Sequence, residues 1–320
     1  MPSDMPADTK AGFVAVLGAP NAGKSTFVNR MVGAKVSIVT HKVQTTRTRI
    51  RGVAIHDKTQ LIYVDTPGIF KPRRRLDRAM VAAAWEGASD ADVRLLMVDA
   101  PAYLSAMTGT ETRDNAAARR AADDTDRIIK GLNEASRTAM LVLNKIDLIP
   151  REKVLALIEK LNTDATFDET FLISASRGTG VLELRERLIE MMPTGPWLYP
   201  EDQLSDISDR LMAAELTREK LMLRLHQELP YSITVETEGW ERTKKKDLRI
   251  EQVIYVERDS QKALVLGQKG ATIKVIGQQA REEMTELFDT TVHLFLFVKV
   301  RDKWGDDPAR YREMGLEMGD

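Results

Sequence analysis

The residues best suited to do chemistry in this chain lie in Gly18-Ala19-Pro20-Asn21-Ala22-Gly23-Lys24-Ser25-Thr26. Glycines let the backbone turn its N–H groups inward around a polyphosphate, Lys24 supplies a mobile positive charge for the β and γ oxygens, and Ser25 offers a hydroxyl to Mg²⁺. Downstream, Thr45 and Thr46 lie in a hydroxyl-rich segment, 36–49, of the kind in which a threonine senses a γ-phosphate through the metal; the residues alone do not choose between them. Asp65-Thr66-Pro67-Gly68 offers a carboxylate to the Mg²⁺ shell and a glycine N–H to the γ-phosphate. Asn144-Lys145-Ile146-Asp147 suits guanine: Asp147 accepts from N1–H and the exocyclic amine, Asn144 reaches N7, and the Lys145 stem lies over the base. Adenine presents the wrong donors, and a site built to hydrogen-bond a substrate group rejects an analogue lacking it by ~10⁴ to 10⁵. Ser174-Ala175-Ser176 completes the set with backbone N–H groups for the guanine O6.

Such residues need a scaffold that brings five loops to one edge. Apolar runs at 13–17, 50–56, 60–64, 93–99, 139–143 and 170–173 read as strands, separated by helical stretches at 26–31, 76–88 and 180–191. Alternation of this kind predicts an α/β doubly wound sheet with the ligand at the carboxyl ends of its strands. The stretch 101–112 and the Ala-rich, charged 113–136 read as an insertion extending a surface loop and a helix, to which no function is assigned.

Composition bounds what else the chain can be. With 320 residues and 43% hydrophobic content it has material for two cores. Net charge is -1 and pI about 6.5, so nucleic-acid binding requires a local patch. The absence of cysteine excludes disulfides, thiolate metal sites and thiol catalysis, and is compatible with a reducing cytosol. The polar leader 1–9 is no signal peptide, and no apolar run approaches the ~18 residues of a membrane span. The expected location is therefore cytoplasmic, with peripheral membrane contact open at the basic run Lys71-Pro72-Arg73-Arg74-Arg75. That run has three readings: a solvated loop, a site for RNA phosphate, or a site for an anionic membrane surface.

A nucleotide domain over 10–192 is followed by a proline-rich linker, 193–204, and a second domain, 205–320. There, helix 205–229, strands 231–238 and 249–257, helix 260–266, Gly267-Gln268-Lys269-Gly270, helix 271–288 and strand 291–300 make the α+β layout of a type II KH domain. Glycines at 267 and 270 admit the phosphates of a single strand, and Lys262, Lys269 and Lys274 supply charge, with the basic turn 242–246 as a second source. Residues 201–320 hold 19 Lys+Arg against 24 Asp+Glu, a net of -5, so the clamp must act through that local patch. Phe295 and Phe297 alternate with the apolar face of the last strand and are read as packing against the other domain or a partner, or as base-stacking residues. The four histidines, His41, His56, His226 and His293, form no local ligand motif.

The phosphate loop, threonine loop, DTPG, NKID and SAS in this order, over 10–193, resemble a translation-factor-type GTPase. Ile69 stands where Ras-like enzymes carry a water-orienting glutamine, and Asn21 is similar to the asparagine by which several such enzymes hold K⁺, so slow intrinsic turnover is expected. With a C-terminal type II KH domain, nearly the whole chain resembles the Era family, and Lys303-Trp304 and the tail 311–315 are similar to that family's ending. The resemblance implies GTP hydrolysis to GDP and phosphate with Mg²⁺, binding to the 3′ end of 16S ribosomal RNA, assistance in 30S subunit assembly, and a monomeric state. A second reading is GTPase signalling at the membrane or in cell-cycle control, with RNA as a secondary ligand.

Overall fold

The computed structural model describes residues 8–109, 115–225, 229–302 and 304. Most of the expected leader, residues 110–114 of the insertion, His226, Lys303 and the tail 311–315 lie outside them. The described residues divide into two units, one of 8–37 and 43–206, the other of 38–42 and 207–304.

The first unit is built on a six-stranded sheet in the order β2-β3-β1-β4-β5-β6. Its strands are β1 (Lys10–Leu17), β2 (Ile50–His56), β3 (Thr59–Asp65), β4 (Val93–Asp99), β5 (Met140–Asn144) and β6 (Thr170–Leu172). Only β2, at the edge, runs antiparallel, to β3. β1 and β4 read as continuous apolar runs because both faces of the sheet are covered. Val14, Val16, Leu95, Met97 and Val142 point to one side, where they pack with residues of α1 (Lys24–Val32) and α6 (Val181–Met191). Ala15, Leu17, Leu96, Val98 and Leu141 point to the other, with residues of α2 (Arg75–Ser89), α4 (Asn115–Glu134) and α5 (Arg151–Asp164). The carboxyl ends of the parallel strands thus share one edge, which is where a doubly wound sheet places a ligand.

Two stretches differ from expectation. The first part of the insertion is a helix, α3 (Ala100–Thr108): Pro101 suits a first helical turn, and the Asp99 carboxylate caps it by accepting from the Ala102 N–H at 3.1 Å. Its partner α4 buries Ala118, Ala122, Ile128, Ile129 and Leu132, so this stretch contributes to the core. The expected linker is held to the first unit. The Gln60 side chain, fully buried, accepts from Leu198 N at 2.8 Å and Tyr199 N at 3.0 Å and donates to Tyr199 O at 2.8 Å, while Val53 N donates to Leu204 O at 2.8 Å.

In the second unit α7 (Asp209–Arg224) is shorter than the expected 205–229: the Ser208 hydroxyl caps its start, accepting from Leu211 N at 3.3 Å, and Leu225 turns extended (φ -86°, ψ 153°) at its end. Strands β7 (Ile233–Arg242), β8 (Leu248–Val256) and β9 (Val292–Val300) form a three-stranded sheet, antiparallel between β7 and β8 and parallel between β8 and β9. α8 (Asp259–Leu266) and α9 (Ala271–Leu287) are joined by one short 3₁₀ turn, Gln268–Gly270. Val265, Ile276, Leu221, Ile254 and Val298 form one core cluster. Ile38, remote in sequence and 1% exposed, joins a second with Met212, Leu216, Met284 and Val292.

Candidate functional site

β1 ends at Leu17, and the chain then turns through backbone conformations that favour glycine. Gly23 has φ 98°, and a Cβ there would lie 2.2 Å from the Asn144 amide nitrogen; at Gly68 a Cβ would lie 2.9 Å from Pro20 N. Ala22 is fully buried inside the turn, whereas Asn21 is exposed with φ 66°, and Thr26 is half-buried in the first turn of α1. The Lys24 ammonium donates to Gly18 O at 3.1 Å and Ala19 O at 3.0 Å. Burial lowers its pKa to about 8, against the opposing pull of Asp65.

Asp65, at the end of β3, is the hub of the metal side. Its Oδ2 accepts from Ser25 at 2.7 Å, Ser37 at 2.6 Å and Thr46 at 3.3 Å, and the Ser25 and Thr46 hydroxyls are 2.8 Å apart. Thr46, of the two threonines, reaches this cluster and is buried; Thr45 is half-buried. The other carboxylate oxygen, Oδ1, is buried with no hydrogen-bond partner. Burial raises the Asp65 pKa, with the hydroxyls and Lys24 opposing it. An orphaned carboxylate oxygen beside two hydroxyls is a hard oxygen donor set, which fits Mg²⁺. The Thr66 hydroxyl points away from this cluster, donating to Val16 O at 2.7 Å and so tying the loop to β1. Pro67 is buried, and Ile69, fully buried in the core, donates its N–H to Gly18 O at 3.2 Å.

On the base side, Asn144 clasps two loops. Its amide nitrogen donates to Ala22 O at 2.8 Å and its oxygen accepts from Ala175 N at 2.9 Å. The Lys145 ammonium pairs with Asp99 at 2.5 Å. Asp147 is exposed, and hydrogen bonding from Ser174 in the first place, with Arg177 contributing at 2.9 Å, holds its carboxyl below the usual range. Ser176 lies 3.3 Å from Ser174, hydroxyl to hydroxyl. Several positioning residues carry no motif. Arg30 of α1 donates to Ala175 O and, at 2.6 Å, to Ser176 O, fixing the base loop. Asn29 accepts from Val36 N and Ser37 N at 2.9 Å each and donates to Ser37 O at 2.7 Å, fixing the start of the threonine loop. Their one sequence signal is a polar pair late in a helix that follows a phosphate loop.

In the second unit the turn between α8 and α9 is held open by its backbone. Gly267 has φ 71°, with a Cβ there 2.1 Å from the Thr272 hydroxyl; Lys269 and Gly270 are also left-handed, at 51° and 77°. Gln268, Lys269 and Lys274 are exposed and Lys262 half-buried, so the turn presents backbone and charge to solvent. Leu264 adds an apolar side chain, 60% exposed, one turn earlier. Phe295 and Phe297 stay 43% and 50% exposed on β9, with the Arg249 guanidinium 4.8 Å from the Phe295 ring centre.

Residues 13–145 match the family described as "50S ribosome-binding GTPase", and residues 228–305 the family described as "KH domain". The chain is 56% identical to GTPase Era of Agrobacterium fabrum over 97% of its own length and 92% of that protein's. It is 55% identical to GTPase Era of Bradyrhizobium diazoefficiens, over 98% of this chain and 97% of that one. Among solved structures, Era in complex with MgGDPNP and nucleotides 1506–1542 of 16S ribosomal RNA is 36% identical, with TM-score 0.81 and coverage of 96% of this chain and 99% of that one. A variant of Aquifex aeolicus Era bound to GDP and AlF4⁻ is likewise 36% identical, with TM-score 0.82 and the same coverage. With both domain families matched in order and more than half of its residues identical to those relatives across nearly its full length, the chain belongs to the Era family of GTPases.

Proposed function

We propose that this GTPase is a switch whose GTP-bound state holds the 3′ end of 16S ribosomal RNA in its KH unit, and that as a cytoplasmic monomer it assists assembly of the small ribosomal subunit. The observation that carries the reading is the position of Ser37. Its hydroxyl donates to Asp65, its backbone is held at both ends by Asn29, and its neighbour Ile38 belongs to the core of the KH unit. Two more bonds root that segment: Val39 N donates to Glu219 at 2.9 Å, and the Lys42 ammonium donates to Leu225 O. A rearrangement around Asp65 therefore reaches the RNA-binding unit along one continuous piece of chain.

Ser25, Thr46 and Asp65 are the residues that would hold Mg²⁺, with Thr46 as the sensor of the γ-phosphate. The ion, when bound, neutralises charge on the phosphate oxygens. Lys24 binds those oxygens, and the Gly68 N–H reaches the γ-phosphate. Ile69, buried, cannot orient water, which leaves intrinsic turnover slow and gives Asn21 a role in holding K⁺ in place of an arginine. Asp147, Asn144 and the Ala175 loop read guanine, while Gly267 to Gly270 grip phosphates of the single strand, flanked by Lys262 and Lys274. The related Era captured with a magnesium guanine nucleotide and 16S RNA supports both ligands, and points to the small rather than the large subunit.

The test is GTP turnover in K⁺ and in Na⁺, with and without an oligonucleotide copying the 16S 3′ terminus, on the native chain and on a Gly267→Asp, Gly270→Asp variant. Stimulation by RNA that the variant loses is expected. Turnover indifferent to RNA that nevertheless binds would reduce the KH unit to a tether.

A further inference from the structure

The basic run after the DTPG motif is a strongly charged feature that neither ligand site uses. Lys71, Arg73, Arg74 and Arg75 are all exposed. The carboxylates nearest them are occupied by backbone. Asp77, 4% exposed, accepts from Arg73 N and Arg74 N, both at 2.9 Å, and from the Gln44 amide, also at 2.9 Å. Asp124 of α4 accepts from Lys71 N at 3.3 Å. The loop is thereby fastened at both ends while its side chains are left to solvent, and no ion pair forms at Lys71, Arg73, Arg74 or Arg75 among the described residues. Asp124 also feels Arg120 and pairs with Arg127 at 4.0 Å, the two arginines standing on one stripe of α4 at i and i+7 about it. Against these six cations, Asp123 is the further carboxylate within electrostatic reach of Asp124.

We infer that this surface of the GTPase unit is a second RNA contact, one that binds the phosphate backbone of duplex RNA without reading sequence, separate from the single-strand clamp. Two features suit a phosphate ligand, and a third, the lack of an apolar anchor, disfavours a lipid surface. Five of the six cations are arginines, whose planar forks match phosphate oxygens two at a time. The patch has no apolar anchor: none of the large exposed hydrophobic side chains among the described residues falls in 68–80 or 115–130, whereas stable adhesion to a membrane takes an inserted apolar group as well as charge. The cations also flank the first turn of α2, whose backbone N–H groups add positive potential. Because Gln44 of the threonine loop reaches Asp77, the patch shares a carboxylate with the nucleotide switch, and its affinity for RNA is linked to nucleotide state.

The experiment uses the full chain and three probes: a blunt RNA duplex, a short single strand copying the 16S 3′ terminus, and phosphatidylcholine vesicles doped with phosphatidylglycerol. Variants are Arg73→Gln, Arg74→Gln, Arg75→Gln together and, as an independent pair, Arg120→Gln with Arg127→Gln; both leave the backbone bonds to Asp77 and Asp124 in place. Each phosphate neutralised contributes about 0.7 to 0.9 to the slope of log affinity against log salt. The triple variant is expected to bind the duplex at least tenfold more weakly, with a slope smaller by about 2 to 3, and to bind the single strand as the native chain does. Duplex binding equal in native and triple variant, or absent in the native chain, overturns the inference. So does loss of vesicle binding with duplex binding intact, which would assign the surface to lipid. Failure of the KH reading would instead appear as lost single-strand binding by the native chain, leaving the duplex result unaffected.

Discussion

Asn144 belongs to the guanine motif, yet it hydrogen-bonds backbone groups of two other loops. Replacing it with alanine removes the donor to Ala22 O and the acceptor of Ala175 N, at positions 0% and 2% exposed, where water has no easy access. Each buried group left unpaired costs about 1–3 kcal/mol, so Asn144→Ala should destabilise the nucleotide-free GTPase unit by about 2–5 kcal/mol. Asp147→Ala removes side-chain bonds to Ser174 and Arg177 at the surface, leaves no buried backbone group unpaired, and should cost clearly less stability than Asn144→Ala while removing guanine affinity. Amide hydrogen exchange separates the units: protection of β1, β4 and β5 reports opening of the GTPase sheet alone. There Asn144→Ala should lose roughly 30-fold of protection at the low end, since 1.4 kcal/mol is a factor of ten. Nucleotide must be absent, because binding would add stability in the native chain and exaggerate the contrast. Native protection in Asn144→Ala, with only nucleotide affinity lost, would refute the clasp and return the residue to base recognition alone. Asn144→Asp sharpens the test by keeping the acceptor for Ala175 N while setting a carboxylate oxygen against Ala22 O, and should be no better tolerated than alanine.

Three further outcomes follow from the geometry. The Lys24 pKa is lowered to about 8 in the folded chain, so between there and its ordinary 10.5 the unfolded chain binds more protons, and stability of the nucleotide-free protein should rise with pH across that window by about 3 kcal/mol. Urea titrations at both ends of the window check it, and Lys24→Met should show none of that increment. Gly267→Ala, with a Cβ 2.1 Å from the Thr272 hydroxyl, should distort the KH turn and cut single-strand RNA affinity at least tenfold, whereas Gly270→Ala meets open space and should cost only the left-handed strain of about 1 kcal/mol. Filter binding and thermal melts distinguish the two. Ile38→Ala, though in the threonine loop, should cost about 2–5 kcal/mol in the KH unit and lower hydrogen-exchange protection of β8 with β1 and β4 unchanged; the reverse pattern would show that the segment belongs to the GTPase unit.

The legible parts of this chain are those whose function dictates residue type locally. A phosphate turn needs glycines, a guanine site needs an acceptor pair, and apolar strands announce a sheet covered on both sides. The residues that hold those pieces together are not legible, because holding a loop requires only some polar side chain at the right place in space. Arg30 and Gln60 satisfy backbone groups far along the chain, Asn29 those of residues 36 and 37, and Ser37 the Asp65 carboxylate, and any of the four could equally be a surface residue. Pro101 suggests a loop because the strand ending at Asp99 hides the fact that the same aspartate caps a helix. The choice between Thr45 and Thr46 turns on which one faces Ser25 across the fold, a distance that no local pattern encodes.

Net charge conceals a division of labour in the same way. Residues 201–320 carry a net of -5, but Glu201, Asp202 and Asp206 belong to the first unit and five more acidic residues lie beyond 304, so 207–304 hold 17 Lys+Arg against 16 Asp+Glu and the unit with the KH turn is close to neutral. A near-neutral unit would grip RNA by close backbone approach at a few phosphates, which the left-handed residues at 267, 269 and 270 permit. Such a grip is short-ranged and weakly sensitive to salt. A long-range attraction would then come from a local concentration of cations such as the arginines that follow the switch, in a unit whose 27 Lys+Arg are matched by 27 Asp+Glu over 1–37 and 43–206. Salt should therefore weaken binding of a long, structured RNA far more steeply than binding of its isolated 3′ terminus. Equal salt dependence for the two would mean that both are held by the clamp alone.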